Sequence, residues 1–496
     1  MNRLFVTLAL ASAATGHAFA TGPERPNIVF LMTDDQCTNS LGCYGNKDVK
    51  TANIDALAAD GIVFDNHYDT TAICMASRAN VLTGKLEFKA GCNFSHGPLI
   101  RSTWNESYPM LLRQAGYITA MAGKIGIEVA DAPGKKSSLP KSDFDWWAAG
   151  PGQTDYQTEK NPSIAKYAKD YPHASRAYGA FGRDFITEAV RSQKPFCLSV
   201  SFKAPHKPVI PDPIDNDVYR STVFEKPENY GRENGVHLSL QSRTGRQYER
   251  FHSWNYSDQY NEVMAKYHQQ IYAVDAAVGM IRQAIQANGV EDNTVVIFTS
   301  DNGFLCGAHG YGSKVLPYEE ASRVPLIVFD PRHDCSGKGL RCDALTGNVD
   351  FAPTILELAG VPIPEKTDGR SLLPLLDKPD DQIHEWLPLI NVWGPSATHS
   401  LAVVTKDWKY IYWPHENAKM KATEELFHLS EDGFELNNLA PDTSKRDELE
   451  KMRRVYDAAV IQWKEQAVPY HRYQQFGTIF DRTVPWKDKQ KLIREF

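Results

Sequence analysis

Two short apolar runs, far apart in the chain, set the frame for everything between them. Residues 28–32 (IVFLM) and 294–298 (TVVIF) are near-continuous stretches of strand length. A run with no polar residue at alternate positions suits a strand covered on both faces, as in the centre of a parallel sheet between layers of helices. The chain is therefore predicted to be α/β, with a large mixed, mostly parallel sheet sandwiched by helices. Each run delivers polar residues at its C-terminal end, Thr33-Asp34-Asp35 in one case and Thr299-Ser300-Asp301-Asn302 in the other. Ligands of open α/β sheets gather at the carboxyl ends of strands. Adjacent carboxylates repel unless a cation lies between them, although Asp34-Asp35 taken alone reads more often as a helix cap than as a metal site.

Bulk charge does not select a partner. A net charge of -7 and a pI near 6.1 over 496 residues give no general attraction for nucleic acid or an acidic membrane surface. No nucleic-acid partner is expected, and a polyanion would need a local cationic patch. Residues 1–20 read as a signal peptide, with Arg3, an apolar run over 4–14, and Ala18-Phe19-Ala20 as a cleavage site. That run is shorter than the roughly 20 residues of a membrane span and no later run reaches this length, so a soluble periplasmic or secreted protein is predicted. Eight cysteines are too few for a disulfide framework in a chain of this length. Cys335 and Cys342 bracket a short Gly-containing loop and are the best pair for a bridge, and no Cys-x-x-Cys or Cys/His cluster suggests structural zinc.

Between the two runs, residues 71–85 read TAICMASRANVLTGK, in which Cys74, Ala76, Ser77 and Arg78 precede Leu82-Thr83-Gly84. Alone, this is a small buried cysteine at the start of a helix. Beside the two acidic strand ends, it closely resembles the signature of type I, formylglycine-dependent sulfatases of the alkaline-phosphatase-like superfamily, Cys-x-Pro/Ala-x-Arg followed by Thr-Gly. The resemblance implies that Cys74 is oxidised after translation to formylglycine, whose hydrated aldehyde is the nucleophile, with Arg78 holding it in place. It also implies a transient partner, a sulfatase-maturing enzyme, and Ala76 suits the radical-based maturase better than the copper-dependent one.

The other motifs carry over residue by residue. Asp34, Asp35, Asp301 and Asn302, with the modified Cys74, match the family's metal ligands. An oxygen set without histidine or thiolate favours Ca2+, which takes about 6 to 8 such ligands, over zinc. In the same stretch, GAHGYGSK, the resemblance assigns His309 and Lys314 to the site. Gly123-Lys124 matches the start of the family's Gly-Lys-Trp-His, but Ile125-Gly126 follow, so its histidine is missing; His96, Glu128 and a histidine from mid-chain compete for the role of base. Lys203-Ala204-Pro205-His206-Lys207-Pro208 resembles Pro-His-x-Pro and makes His206 the first choice to protonate the leaving alcohol, with Lys314 second. Lys124 and Lys314 would stabilise charge on the sulfate oxygens.

The substrate reading rests on segments between the motifs. Residues 209–260 look like an insertion in which arginines alternate with aromatics, a wall able to stack on sugar rings and fork onto sulfates, with Arg246 and Trp254 as its representatives. With Trp146-Trp147 and the export signal, it points to a sulfated oligo- or polysaccharide, and the family resemblance implies a marine algal glycan such as carrageenan or ulvan. Residues 131–184 read as loop-rich. Residues 260–287 read as a long amphipathic helix. The composition changes near Pro379, so residues 21–380 are read as the catalytic domain and 381–496 as a C-terminal antiparallel-sheet subdomain. Two alternatives stay open: a phosphodiesterase or phosphonate monoester hydrolase of the same superfamily, and a non-catalytic glycan-binding protein with Cys74 unmodified.

Overall fold

The structure is a computed structural model that describes residues 25–493. The signal-peptide expectation for residues 1–20 lies outside the described residues. The main sheet has eight strands in the order Leu340–Gly347, Ile62–Tyr68, Leu326–Phe329, Thr294–Ser300, Asn27–Asp34, Phe196–Pro205, Ile118–Lys124, Trp146–Gly150. Only Leu326–Phe329 runs antiparallel to its neighbours; the remaining pairs are parallel. The two apolar runs are hydrogen-bonded neighbours at the centre, in register from Asn27↔Thr294 to Thr33↔Ser300.

The burial pattern explains why those runs do not alternate. Val29, Leu31, Val296 and Phe298 face one core, shared with the helices Ala52–Asp60, Ala174–Arg191 and Tyr260–Ala287. Ile28, Phe30, Met32, Val295 and Ile297 face the other, under the helices Cys74–Thr83, Tyr108–Gln114 and Phe351–Leu358. Successive side chains of a strand point to opposite faces, so a strand between two helical layers is apolar at every position.

The helix Tyr260–Ala287 forms as its periodicity predicts. The span read as loop-rich hides a helix, Ala174–Arg191, whose inner face is built partly of small residues. Gly179 and Gly182 there let it approach Ala277 and Ile281 so closely that an added Cβ would stand 3.0 Å from Ala277 and 2.9 Å from Ile281. The expected wall at Trp146-Trp147 is corrected: Trp146 packs on Phe181 and Phe185, and Trp147 on Phe144. The Cys335–Cys342 bridge is also corrected. Both are free, buried thiols that pack as small apolar side chains in the second core, and burial pushes Cys342 up to about 11.

A separate four-stranded antiparallel sheet, Leu387–Asn391, Ser400–Val404, Trp408–Trp413 and Thr423–His428, carries the C-terminal part. The helix Arg446–Gln466 covers one face through Met452, Tyr456 and Trp463. Its other face, through Ala402, Ile411 and Phe427, packs on Tyr311, Leu316 and Tyr318 from the loop after the strand Thr294–Ser300. No helix among the described residues is long and apolar enough to cross a membrane.

Candidate active site

The parallel pairing of the two central strands brings Asp34-Asp35 and Asp301-Asn302 out side by side. The Asp35 amide donates to Asp301 Oδ1 at 3.3 Å, the Gln36 amide to Ser300 Oγ at 3.0 Å, and Asn302 Nδ2 to Asp35 Oδ1 at 2.7 Å. Cys74 opens the helix Cys74–Thr83, whose N-cap Ile73 is extended and offers no side-chain cap. Residue 74 therefore lies at the positive end of a helix, which favours anions beside it. A polar network pins this helix start: Ser77 Oγ donates to Asp69 at 3.1 Å, Asn348 Nδ2 to Ser77 Oγ at 3.1 Å, and Thr70 Oγ1 to Asn348 Oδ1 at 2.9 Å.

Three buried cations meet three buried carboxylates here. Arg78 Nε donates to Asp301 Oδ2 at 2.8 Å, its Nη1 reaches both Ser201 and the Lys124 carbonyl, and its Nη2 lies 3.7 Å from Asp34. Lys124 Nζ pairs with Asp34, and Lys314 Nζ pairs with Asp35 while lying 3.3 Å from Cys74 Sγ. Burial alone would raise Asp34, yet Lys124, His206, Lys314 and Arg78 hold its carboxyl well below the usual range. Asp35 and Asp301 are pushed up, by burial first and then against the pull of Lys314 and Arg78 respectively. Lys314 is held charged well above the ordinary lysine value, since burial is outweighed by Asp35, Cys74, Asp34 and Asp301.

Carboxylate oxygens of Asp34, Asp35 and Asp301 lie within 4.8 Å of one another. Asp34 Oδ1 and Asn302 Oδ1 are buried with no hydrogen-bond partner. Orphaned buried oxygens are costly in a closed polar network, and these two belong to residues of the expected ligand set. An all-oxygen donor set of this kind fits a hard divalent cation.

His206 reaches the centre, with Nε2 3.9 Å from Asp35 Oδ2, while Nδ1 faces the Lys207 carbonyl. Burial pushes it down to about 3, so Nε2 carries a lone pair in the substrate-free protein. His309 does not join the site: Nδ1 bonds the Asn234 carbonyl at 2.9 Å and Nε2 faces Asn229 Nδ2 at 3.1 Å. Its motif lies between Asn302 and Lys314, but the loop turns twice there, and His309 falls on the far side. His96 sits with both ring nitrogens against the carbonyls of His471 and Val392, and Glu128 is exposed and bonded by Ser137. At Gly126, where the family's histidine is missing, a Cβ would stand 2.3 Å from Arg78 Cδ at a backbone φ of +73°. No side chain fits there without moving Arg78.

Above Cys74 opens a cleft of about 890 Å3, floored by Asp35, Cys74, His206 and Lys314. The arginines of the expected wall divide between the cleft and the segment's own packing. Arg246 and Arg250, on the helix Arg246–Ser253, and Trp254 line the cleft. Arg232 stacks on Tyr248 at 3.8 Å and Arg243 donates to the carbonyls of Gly235, Val236 and Leu238, so both serve the segment's own structure. Sequence reasoning missed Trp393, Phe94 and Gln153, which also line the cleft. Trp393 and Gln153 come from loops remote from every motif, and Phe94 follows the Thr83-Gly84 end of the signature, but no local pattern marks any of the three.

The sulfatase family model matches residues 26–361, and a second, N-sulphoglucosamine sulphohydrolase C-terminal, matches 307–460. Among curated relatives, an N-acetylglucosamine-6-O-sulfatase of Bacteroides thetaiotaomicron is 28% identical over 92% of this chain and 91% of its own length. An ulvan-active sulfatase of Formosa agariphila is 27% identical over 75% of this chain and 68% of its own. A solved structure in complex with its substrate D-glucosamine-2-N,6-O-disulfate superposes with a TM-score of 0.74 at 26% identity, covering 89% of this chain and 99% of that one. With the family model spanning most of the chain, and the expected nucleophile, carboxylates and lysines gathered at the strand ends, this protein belongs to the sulfatase family and is a sulfuric ester hydrolase of the alkaline-phosphatase-like superfamily.

Proposed function

We propose that this sulfatase is exported and removes sulfate esters from a sulfated oligo- or polysaccharide, using a formylglycine made from Cys74 and a calcium ion held by Asp34, Asp35, Asp301 and Asn302. The observation that carries the substrate reading is the pair Arg246 and Arg250, one helical turn apart above Cys74. Arg246 stacks on Trp393 at 4.3 Å and Arg250 on Trp254 at 4.1 Å. Arg250 donates to Ser313 at 2.7 Å, and neither guanidinium has a carboxylate partner among the described residues. Stacking covers one face of each and leaves N–H edges for a bidentate anion. Burial, reinforced by Arg246, pushes Arg250 down to about 10, the mark of a charge that lacks its counter-ion. A substrate bearing an anionic group beyond the reacting ester answers this. The named activities of the relatives, on N-acetylglucosamine 6-O-sulfate and on ulvan, support a glycan.

When present, formylglycine supplies a hydrated aldehyde hydroxyl as nucleophile and calcium supplies positive charge for that hydroxyl and for a sulfate oxygen. The chain's own residues do the rest. Arg78 orients Asp301 and the Lys124 carbonyl, and thereby the floor of the site. Lys314, held charged 3.3 Å from the residue 74 sulfur, and Lys124 place fixed positive charge where the sulfate oxygens gain negative charge. His206 Nε2 faces the cleft, and the negative charge of a bound ester raises its proton affinity, readying it to serve the leaving oxygen. Because Cys74 is only 2% exposed, a maturing enzyme would meet it before the helix Cys74–Thr83 docks.

The test has two parts. Mass analysis of the tryptic peptide 51–78, from protein co-expressed with a maturase, is expected to show an aldehyde in place of the thiol. Desulfation is then compared across glycosaminoglycan, ulvan and carrageenan oligosaccharides and paired aryl sulfate and phosphate esters. A thiol at residue 74 in fully active enzyme, or faster turnover of the phosphate ester, would overturn the reading.

A further inference from the structure

His309, singled out by its motif yet absent from the catalytic centre, stands in a second buried polar cluster. There the loop carrying Lys314, the segment around Asn229 and the C-terminal part of the chain meet. His309 Nε2, a carboxylate oxygen of Glu320 and one of Glu435 lie within 4.8 Å of one another. The Nδ1–H bond to the Asn234 carbonyl fixes the tautomer that leaves Nε2 as a lone pair, the arrangement used by metal-ligating histidines.

Two further observations point to a missing cation. Asn229 is 0% exposed, and its amide is turned into the cluster. Its Nδ2 lies 3.1 Å from His309 Nε2, 2.6 Å from Glu320 Oε1 and 3.1 Å from the Phe434 carbonyl, three acceptors for two hydrogens, while its Oδ1 has no partner. Glu320 Oε2 is likewise buried and unpartnered. The charges are also uneven. Lys409 Nζ lies 2.7 Å from Glu319 and 2.8 Å from Glu435, and Arg323 Nε lies 2.7 Å from Glu319. No cation among the described residues is within ion-pair distance of Glu320.

We propose that this cluster is a second, structural divalent-metal site, ligated by His309 Nε2, Glu320 and Glu435, with the Asn229 amide turned so that its oxygen is the fourth ligand. Imidazole with carboxylates suits a first-row ion such as zinc, whereas the all-oxygen catalytic set suits calcium, so the two sites select different metals. The ion would tie the loop bearing Lys314 to the C-terminal part of the chain, neutralise Glu320, and relieve the crowding at the Asn229 amide.

The test uses the full chain, stripped with a chelator, reloaded with calcium and titrated with ZnCl2. Native mass spectrometry is expected to show one zinc per chain bound on top of calcium, and Co2+ in its place to give the visible absorption of a nitrogen-ligated site. Zinc is expected to raise the Tm of the parent protein but not of Glu320→Gln, which preserves shape, nor of His309→Ala. If His309→Ala does not fold, Glu320→Gln decides alone. Equal zinc stoichiometry in parent and Glu320→Gln, or zinc that binds only by displacing calcium, would overturn the proposal and leave the cluster a hydrogen-bond network centred on Asn229.

Discussion

The two buried clusters are built from the same materials and do opposite things. At the strand ends, Asp34, Asp35 and Asp301 face Arg78, Lys124 and Lys314. Behind the same loop, Glu319 and Glu435 face Lys409 and Arg323, with Glu320 beside them and outside ion-pair distance of either cation. What separates them is position. The first lies where two parallel strands end beside a helix N-terminus and opens through Cys74 into the cleft, the place where an α/β sheet leaves backbone groups and space for a ligand. The second lines no part of that cleft and lies where the loop meets the C-terminal sheet, through Lys409 and Glu435. A buried network of acids and bases is thus no evidence of catalysis until its access is known.

The sharpest way to break the comparison is at residue 74. Cys74→Ala removes the nucleophile and is expected to lower turnover by on the order of 10^4-fold or more, measured on matured parent and variant with an activated sulfate ester. Substrate affinity should change far less, because Arg78, Lys124 and Lys314 remain. An active Cys74→Ala enzyme would move the chemistry away from the helix N-terminus altogether.

Next comes a matched pair. Asp35→Asn is expected to lower turnover by roughly 10^3-fold, since several kcal/mol of charge stabilisation disappear with the metal ligand, and chelation should act in the same way. Glu320→Gln, the parallel change in the second cluster, should leave kcat within a few-fold of the parent. Steady-state kinetics with a Tm for each variant separate the two. Equal losses of turnover would mean that the clusters act as one unit.

This contrast also shows how far the sequence could be read. The central strands and their acidic ends were legible because a doubly covered strand has no polar alternation to hide in, and residues Asp34, Asp35, Cys74, Arg78, Lys124, Asp301, Asn302 and Lys314 converge as expected. His309 was misplaced because spacing along a loop does not reveal which way the loop turns. Trp146-Trp147 was misread because adjacent aromatics on an edge strand point to opposite faces: Trp146 packs on a helix, Ala174–Arg191, that was itself concealed by its small residues, and Trp147 packs on Phe144. Trp393 and Phe94 were invisible because tertiary packing, not local pattern, brings them to the cleft.

The wall sharpens the comparison from the substrate side. Arg246→Ala and Arg250→Ala are each expected to lower kcat/KM on a sulfated tetrasaccharide by about 10- to 100-fold, the value of one charge-assisted hydrogen bond of about 1.5 to 3 kcal/mol. On an aryl sulfate the loss should be within a few-fold, because that substrate has nothing for the arginines to hold. His206→Ala should show a different selectivity, costing more on a sugar sulfate than on an aryl sulfate whose leaving group needs no proton. If both substrates suffered equally from the arginine changes, those residues would be supporting the fold of the cleft and not reading the glycan.

The smallest expected effect comes from a buried carboxyl that belongs to neither cluster. Glu87 accepts from Asn93 Nδ2 and Tyr473 OH, each at 2.8 Å, and has no cationic partner among the described residues. Burial raises it from 4.5 to about 7. The folded protein therefore holds a proton on Glu87 that the unfolded chain has released. That proton contributes stability in full below pH 4.5, and the contribution is lost as the pH rises through about 7. The span corresponds to about 3 kcal/mol as an upper bound, or a few degrees in Tm for a chain of this size. Glu87→Gln keeps the acceptor and cannot ionise, so its Tm should decline less than that of the parent between pH 5 and pH 8. In the two clusters cations oppose the same burial effect; at Glu87 only neutral donors do. Calorimetric scans of both proteins at matched ionic strength decide the matter: parallel pH profiles would mean that the Asn93 and Tyr473 hydrogen bonds hold Glu87 ionised without any cation.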